Sequence, residues 1–269
     1  MTTDTSTEAE MLRDEQAQHN TEVWARGDFL ESYATRDLRP VEAIILERYR
    51  EAFAGRVLEL GCGAGRLTGH LIDLAREVHG VDVSPAMIAY CQQTYPRGIF
   101  RVADLRDLSA FESGSYQAVV ATSNVLDVLG DSERRRVLRE VGRLLRPGGL
   151  LLLSSHNLEY APRIGKPTRI YGRTLRQTVG NVVKMPRRVR NRRRLLRLQR
   201  SEPGYAVLID RAHDFSLLHY YISRDAQEHQ LMEEGFELVE CLDLDGRLVK
   251  AAETAAHCSE LHYVGRRLP

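Results

Sequence analysis

The chain has 269 residues, 38 Lys or Arg against 37 Asp or Glu, and 43% apolar residues, enough for one large domain or a core with insertions. No apolar run approaches the ~20 residues that span a bilayer, and no leader-like apolar segment opens the chain. The four cysteines, Cys62, Cys91, Cys241 and Cys258, show neither C-x-x-C nor metal-ligand spacing, so reduced thiols in a cytoplasm and no metal site are expected.

Residues 1–18 are rich in Thr, Glu, Asp and Gln without an apolar core, and read as a disordered tail. From 19 to 54 the pattern is helical: Trp24, Phe29 and Tyr33, a break at Pro40, then Val41, Ile44, Ile45 and Tyr49 on one stripe. Val57, Leu58 and Leu60 form a buried strand, and Leu67, Leu71, Ile72 and Leu74 repeat at helical spacing. Gly61, Gly63 and Gly65 lie between them. Such a loop lets backbone approach a ligand, with the free N–H groups of the helix start facing it. A dinucleotide fingerprint would require glycine where Arg66 stands.

With Glu59 two positions before the first glycine, E-x-G-x-G-x-G on a strand-to-helix turn resembles motif I of the class I S-adenosylmethionine-dependent methyltransferases. The resemblance implies that Glu59, Gly61, Cys62 and Gly63 cradle the methionine part of S-adenosyl-L-methionine. The second strand ends at Asp82, placed to accept from the ribose hydroxyls, with Val83 beside it. Ser84 and Pro85 suit a helix cap and first turn, which leaves Asp82 for ligand. A third strand ends at Asp104 and Leu105, the positions that meet adenine in the family; a turn cap is the alternative for Asp104. The fourth strand gives way after Ala121 to Thr122, Ser123 and Asn124, at the ligand-binding end of such sheets. Gln117 stands where the family usually carries an acid. Asp131 or Ser132 caps a helix with Val137, Leu138, Val141, Leu144 and Leu145 on one side, and Arg-Pro-Gly-Gly at 146–149 leads into a fifth apolar strand. The resemblance covers residues 57–157.

Between residues 157 and 200 the chain carries fourteen Lys or Arg against one acid, Glu159, a local charge of +13 that the remainder offsets with −12. A basic helix over 187–200 could be a solvated face, a groove for an anionic acceptor or an RNA-binding arm, although Tyr160 and Tyr171 are the only aromatics there. Ser223 caps a further helix with Leu231 and Met232 inward, Gly235 stops it, and residues 236–244 and 259–268 are strands.

The resemblance implies a Rossmann-like, mostly parallel seven-stranded sheet of order 3-2-1-4-5-7-6 with the last strand antiparallel. Residues 19–54 would be lid helices, 55–157 the cofactor core, 158–215 a basic insertion covering the acceptor, and 216–269 the completion of the sheet. Tyr33 would lie over the sulfonium or anchor the lid. His156, ending strand five, is the candidate base or a structural loop histidine, and Asp127 could orient it. His219, Tyr220 and Tyr221 are candidate acceptor-pocket residues, or fasten the insertion to the sheet. There is no N-P-P-Y-like sequence after strand four and no Pro-Cys pair, which argues against adenine-N6, glutamine and pyrimidine-C5 chemistry. The expected enzyme is an O-methyltransferase of a small molecule or glycan, with RNA or a small amine as alternative acceptor.

Overall fold

Five apolar runs become the central strands: β1 (Arg56–Leu60), β2 (Glu77–Asp82), β3 (Ile99–Val102), β4 (Tyr116–Ala121) and β5 (Leu145–Asn157). The structure is a computed structural model, and it describes residues 5–26, 30, 34, 37–163, 174–210 and 212–269. β3-β2-β1-β4-β5 pair in parallel. β10 (Glu260–Arg267) enters antiparallel between β5 and β9 (Phe236–Leu242), which completes the expected 3-2-1-4-5-7-6 order.

Among the described residues, however, the sheet has ten strands, not seven. The additional three are β6 (Arg200–Glu202), β7 (Tyr205–Ile209) and β8 (Leu218–Ile222). β5 has 13 residues against 6 in β4, so its end overhangs and leaves an unpaired edge. β8 covers that edge, pairing Tyr221 with His156 and Ile222 with Asn157, and carries β7 and β6 behind it.

Alternation along the strands splits the core between the two sheet faces. Leu58, Val119 and Leu151 pack with Val137, Leu138 and Val141 of α6 (Asp131–Leu144) and Leu231 of α8 (Arg224–Glu233). Val57, Val120 and Leu152 pack oppositely, against α2 (Pro40–Arg48), α4 (Thr68–Leu74) and α5 (Pro85–Thr94). A single turn, α3 (Arg50–Phe53), links α2 to β1. Met232 is exposed, unlike Leu231.

The expected N-terminal tail is instead part of a helix, α1 (Thr5–Ala25). Its polar composition hides specific anchors. Buried Asn20 donates to Val128 O and Leu218 O, both at 2.7 Å, and accepts from Leu218 N, while Gln16 is buried and bonds Arg200. The basic helix also starts earlier than expected: α7 spans Leu175–Leu195, followed by a 3-10 turn at Leu196–Leu198.

Candidate active site

The glycine loop, the carboxyl ends of β1, β2, β4 and β5, and α1 enclose a cavity of about 460 Å³. Its floor is shaped by two glycines with positive φ. At Gly61 (φ +61) a Cβ would strike Val125 Cγ2 at 1.9 Å, so nothing larger fits. At Gly63 a Cβ would meet nothing within 4 Å, which leaves that backbone bare toward the cavity. Glu59 and Cys62 line the cavity beside them. Burial pushes the Glu59 carboxyl up to about 7, although Thr68 Oγ1 donates to it.

Asp82 accepts from Gly63 N and Ser84 N, each at 2.9 Å, and so ties the glycine loop to the start of α5. Ser84 occupies the cap position without forming the side-chain cap bond. The division of labour expected from the sequence is therefore reversed, because Asp82 itself closes the turn. Its carboxylate retains acceptor capacity toward the cavity. Burial raises its pKa, and the backbone donors work against that rise.

Asp104 and Leu105 line the same cavity. Asp104 is paired with Arg106, whose Nε and Nη2 donate at 2.9 and 2.6 Å and whose backbone N–H donates to Oδ1. Burial disfavours its charge, yet Arg106 outweighs burial and holds the carboxyl below the ordinary value. Val83 and Thr122 are also cavity residues, whereas Ala121 is fully buried in β4 opposite Leu153 and does not reach the cavity. Tyr33 lies outside the described residues.

At the other end stands a carboxylate–imidazole pair. Asp127 is buried on the 3-10 turn Val125–Val128, and its Oδ2 accepts from His156 Nδ1 and His156 N, both at 2.7 Å. Its Oδ1 accepts from Arg134 Nη1 and Ser155 Oγ, both at 2.6 Å, so every lone pair of this carboxylate is used. Arg134 is itself fully buried and also donates to Gln227, Gln230 and Ser155. Burial pulls the His156 pKa down, but Asp127, with Asp210 and Glu260 further off, outweighs it and leaves the value raised. With its Nδ1 proton directed at Asp127, neutral His156 has Nε2 as its acceptor, where Asn124 Nδ2 makes a long contact of 3.4 Å, and the residue lines the cavity. Ser123 and Asn124, just after β4, both adopt left-handed backbone (φ 57 and 59), a strained geometry that collects at functional sites.

β8 alternates. His219 reaches the cavity, and its Nδ1 lies 2.7 Å from Asp210 Oδ2. Tyr221 packs behind, its ring 4.8 Å from that of His156 and its hydroxyl donating to Asp210. Tyr220 points to the opposite face, stacks on Tyr205 and donates to Asp131. Neither tyrosine lines the cavity, so both fasten the added strands to the sheet. Asp131 is consequently engaged with Tyr220 instead of capping α6; Gly130 takes the cap position and its N–H donates to Glu133.

The basic segment reaches the cavity indirectly. Arg192, Arg193 and Arg194 are exposed, and no described residue of 158–200 lines it. Instead Arg188 and Asn191 of α7 bond Asp214, holding the turn 212–215 that delivers His213. The His213 ring meets Trp24 of α1 edge-on at 5.0 Å, which closes the roof.

Several cavity residues had no sequence signal of their own: Thr21, Asp37, Arg39 and His213. Arg66 did carry one, since it replaces a fingerprint glycine. It pairs with buried Glu42 of α2 through both terminal nitrogens, at 2.6 and 2.5 Å, and donates to Ser123 Oγ.

A methyltransferase-domain family model matches residues 57–149. Among curated proteins, a ubiquinone biosynthesis O-methyltransferase of Xanthomonas oryzae pv. oryzae is 29% identical over 124 residues, 45% of this chain and 51% of that protein. A probable S-adenosylmethionine-dependent methyltransferase of Mycolicibacterium smegmatis is 35% identical over 115 residues, 42% and 43% of the two chains. The chain thus spans about half the length of these relatives. A solved methyltransferase of Clostridium acetobutylicum superposes with TM-score 0.59 at 11% identity, over 87% of this chain and 93% of its own. The Burkholderia thailandensis 1,6-didemethyltoxoflavin-N1-methyltransferase, solved with S-adenosylhomocysteine, gives TM-score 0.54 at 14% identity over 100% and 92%. No helix among the described residues is long and apolar enough to cross a membrane.

Proposed function

We propose that the chain is a class I S-adenosylmethionine-dependent methyltransferase, a reading supported by the methyltransferase-domain match over 57–149 and the methyltransferase relatives, and that it methylates a hydroxyl oxygen of a small-molecule or saccharide acceptor. The Asp127–His156 pair at the cavity wall carries this reading. S-adenosyl-L-methionine, when bound, supplies an electrophilic methyl group. The cavity suits that group: bare backbone at Gly63, a buried acid at Glu59 that a ligand ammonium would ionise, and spare acceptor capacity on Asp82. Glu59, Gly61, Cys62 and Gly63 would hold its methionine part, Asp82 and Val83 its ribose, and Asp104, Leu105 and Thr122 its adenine end. Arg106 keeps Asp104 ionised and leaves one Oδ2 acceptor site for an amino group.

A hydroxyl is a weak nucleophile until it loses its proton, and His156 Nε2 is the base that takes it. Asp127 fixes the tautomer and stabilises the imidazolium that results. α1 and the 212–215 turn exclude water and orient the acceptor, which for an in-line displacement supplies much of the acceleration. Buried free thiols at all four cysteines suit a reducing cytoplasm.

The test is a methyl-transfer screen with labelled cofactor across phenols, sugars, amines and RNA. Label on a hydroxyl acceptor supports the reading, and label confined to amines or RNA rejects it. An RNA reading draws on the exposed arginines of α7. It requires binding to unrelated RNA that weakens steeply with salt.

A further inference from the structure

His156 is not the only imidazole of its kind in the cavity. His219 repeats the arrangement on β8: it lines the cavity, its Nδ1 faces Asp210 Oδ2 at 2.7 Å, and Asp210 is buried and further held by the Tyr221 hydroxyl. The two rings lie side by side, centroids 5.1 Å apart and planes at 37°, and a ring nitrogen of each lies within 4.8 Å of the other. Burial opposes the charge of Asp210, but His219, His156 and Tyr221 outweigh it and hold its pKa far below the ordinary value. A carboxylate on each Nδ1 selects the tautomer with the proton there, so that Nε2 is the acceptor of each neutral ring.

Two neighbouring imidazole acceptors on one cavity wall, His219 buried and His156 half-buried with only a long 3.4 Å contact from Asn124 Nδ2, favour a ligand that brings two donors, because an unmatched buried acceptor costs its desolvation. A carbonyl, ether or lone hydroxyl cannot supply both. With the rings only 5.1 Å apart, hydrogen bonds of about 2.8 Å from the two suit oxygens on adjacent carbons better than oxygens at opposite ends of a ring. We propose that His156 and His219 together bind a vicinal diol, one hydroxyl on each imidazole, so that His156 takes the proton of the hydroxyl to be methylated while His219 holds its neighbour. This rests on the O-methyl-transfer reading above, and it applies equally to an aromatic diol and to a sugar diol.

Binding without turnover tests it. The full chain, saturated with S-adenosylhomocysteine, is titrated calorimetrically with catechol, phenol and hydroquinone, and separately with cis-1,2-cyclohexanediol and cyclohexanol. In at least one series the vicinal diol should bind at least tenfold more tightly than its companions, and the series identifies the aromatic or saccharide source. His219→Ala should reduce the diol to the affinity of the mono-ol. Asp210→Asn, which keeps the ring and changes its partner, should do so partly, and unchanged S-adenosylhomocysteine affinity certifies both folds. Equal affinities in both series, no measurable diol binding, or a preference that survives His219→Ala would overturn the proposal. Loss of the preference on exhaustive chelation would also overturn it, by placing a cation between the imidazoles. A diol preference without methyl transfer to any hydroxyl would leave this inference standing and remove the O-methyl reading.

Discussion

At the scale of single residues, the carboxylate of Asp82, which lines the cavity, and that of Asp127, buried behind His156, do different work. Asp82 bridges the glycine loop and α5 through backbone N–H groups, so it is both a structural tie and the ribose acceptor proposed here. Asp82→Ala should weaken S-adenosylmethionine binding at least tenfold in titration calorimetry, since a hydrogen bond to a charged group contributes about 1.5–3 kcal/mol. Unchanged affinity would remove the assignment. His156→Ala should lower kcat while leaving cofactor affinity nearly intact. Because the base must be neutral and its pKa is raised from 6.5, turnover should rise with pH through an inflection above that value. The titratable groups facing it are Asp127, Asp210, Glu260, His219 and Tyr221. Asp127→Asn removes the carboxylate that outweighs burial, so the acid limb should shift to lower pH. A pH–rate profile that does not move would show that Asp127 does not set the state of His156.

At the scale of elements, α6 and α8 lock the chemistry from behind. Arg134 is wholly buried, satisfied by Asp127, Ser155, Gln227 and Gln230, and sits under the Tyr220 ring at 4.9 Å. Removing one partner of a buried pair costs about 3–5 kcal/mol, because the other charge is left uncompensated. Arg134→Met should therefore lower stability to denaturant by that order and reduce turnover as well, through loss of the Asp127 geometry. α1 depends on a smaller device. Asn20→Ala would strip hydrogen bonds from Val128 O, Leu218 O and Leu218 N, and hydrogen exchange across α1 should accelerate. Exchange that stays slow would show that the helix is held by its other contacts, such as Gln16 with Arg200.

At the scale of the whole molecule, the charge imbalance is spatial. The basic run is concentrated on α7, and acids of other elements answer part of it: Glu15 meets Arg197, and Asp214 meets Arg188 and Lys184. Arg192, Arg193 and Arg194 face solvent away from the cavity. Their joint replacement by alanine should leave kcat and KM for a neutral acceptor within about twofold, as exposed charges contribute little through screened distance. A large rise in KM would restore the reading of this segment as a direct acceptor groove.

What the sequence determined by itself was local and contiguous. The E-x-G-x-G-x-G turn, the acids closing strands two and three, and the Arg-Pro-Gly-Gly entry to strand five each lie within a few residues, where glycine freedom and strand patterning dictate form. The order 3-2-1-4-5-7-6 came from the family resemblance that this signature carries, and β6, β7 and β8 were not part of it. What only the tertiary structure decided lies between segments far apart in the chain. A polar N-terminal stretch became a helix because buried Asn20 meets backbone near residues 128 and 218. Tyr220 and Tyr221 turned from acceptor candidates into fasteners because β8 pairs with the overhang of β5, which fixes the face each residue takes. That same pairing sets His219 beside His156, 63 positions away, a juxtaposition decided by strand register and invisible to local pattern.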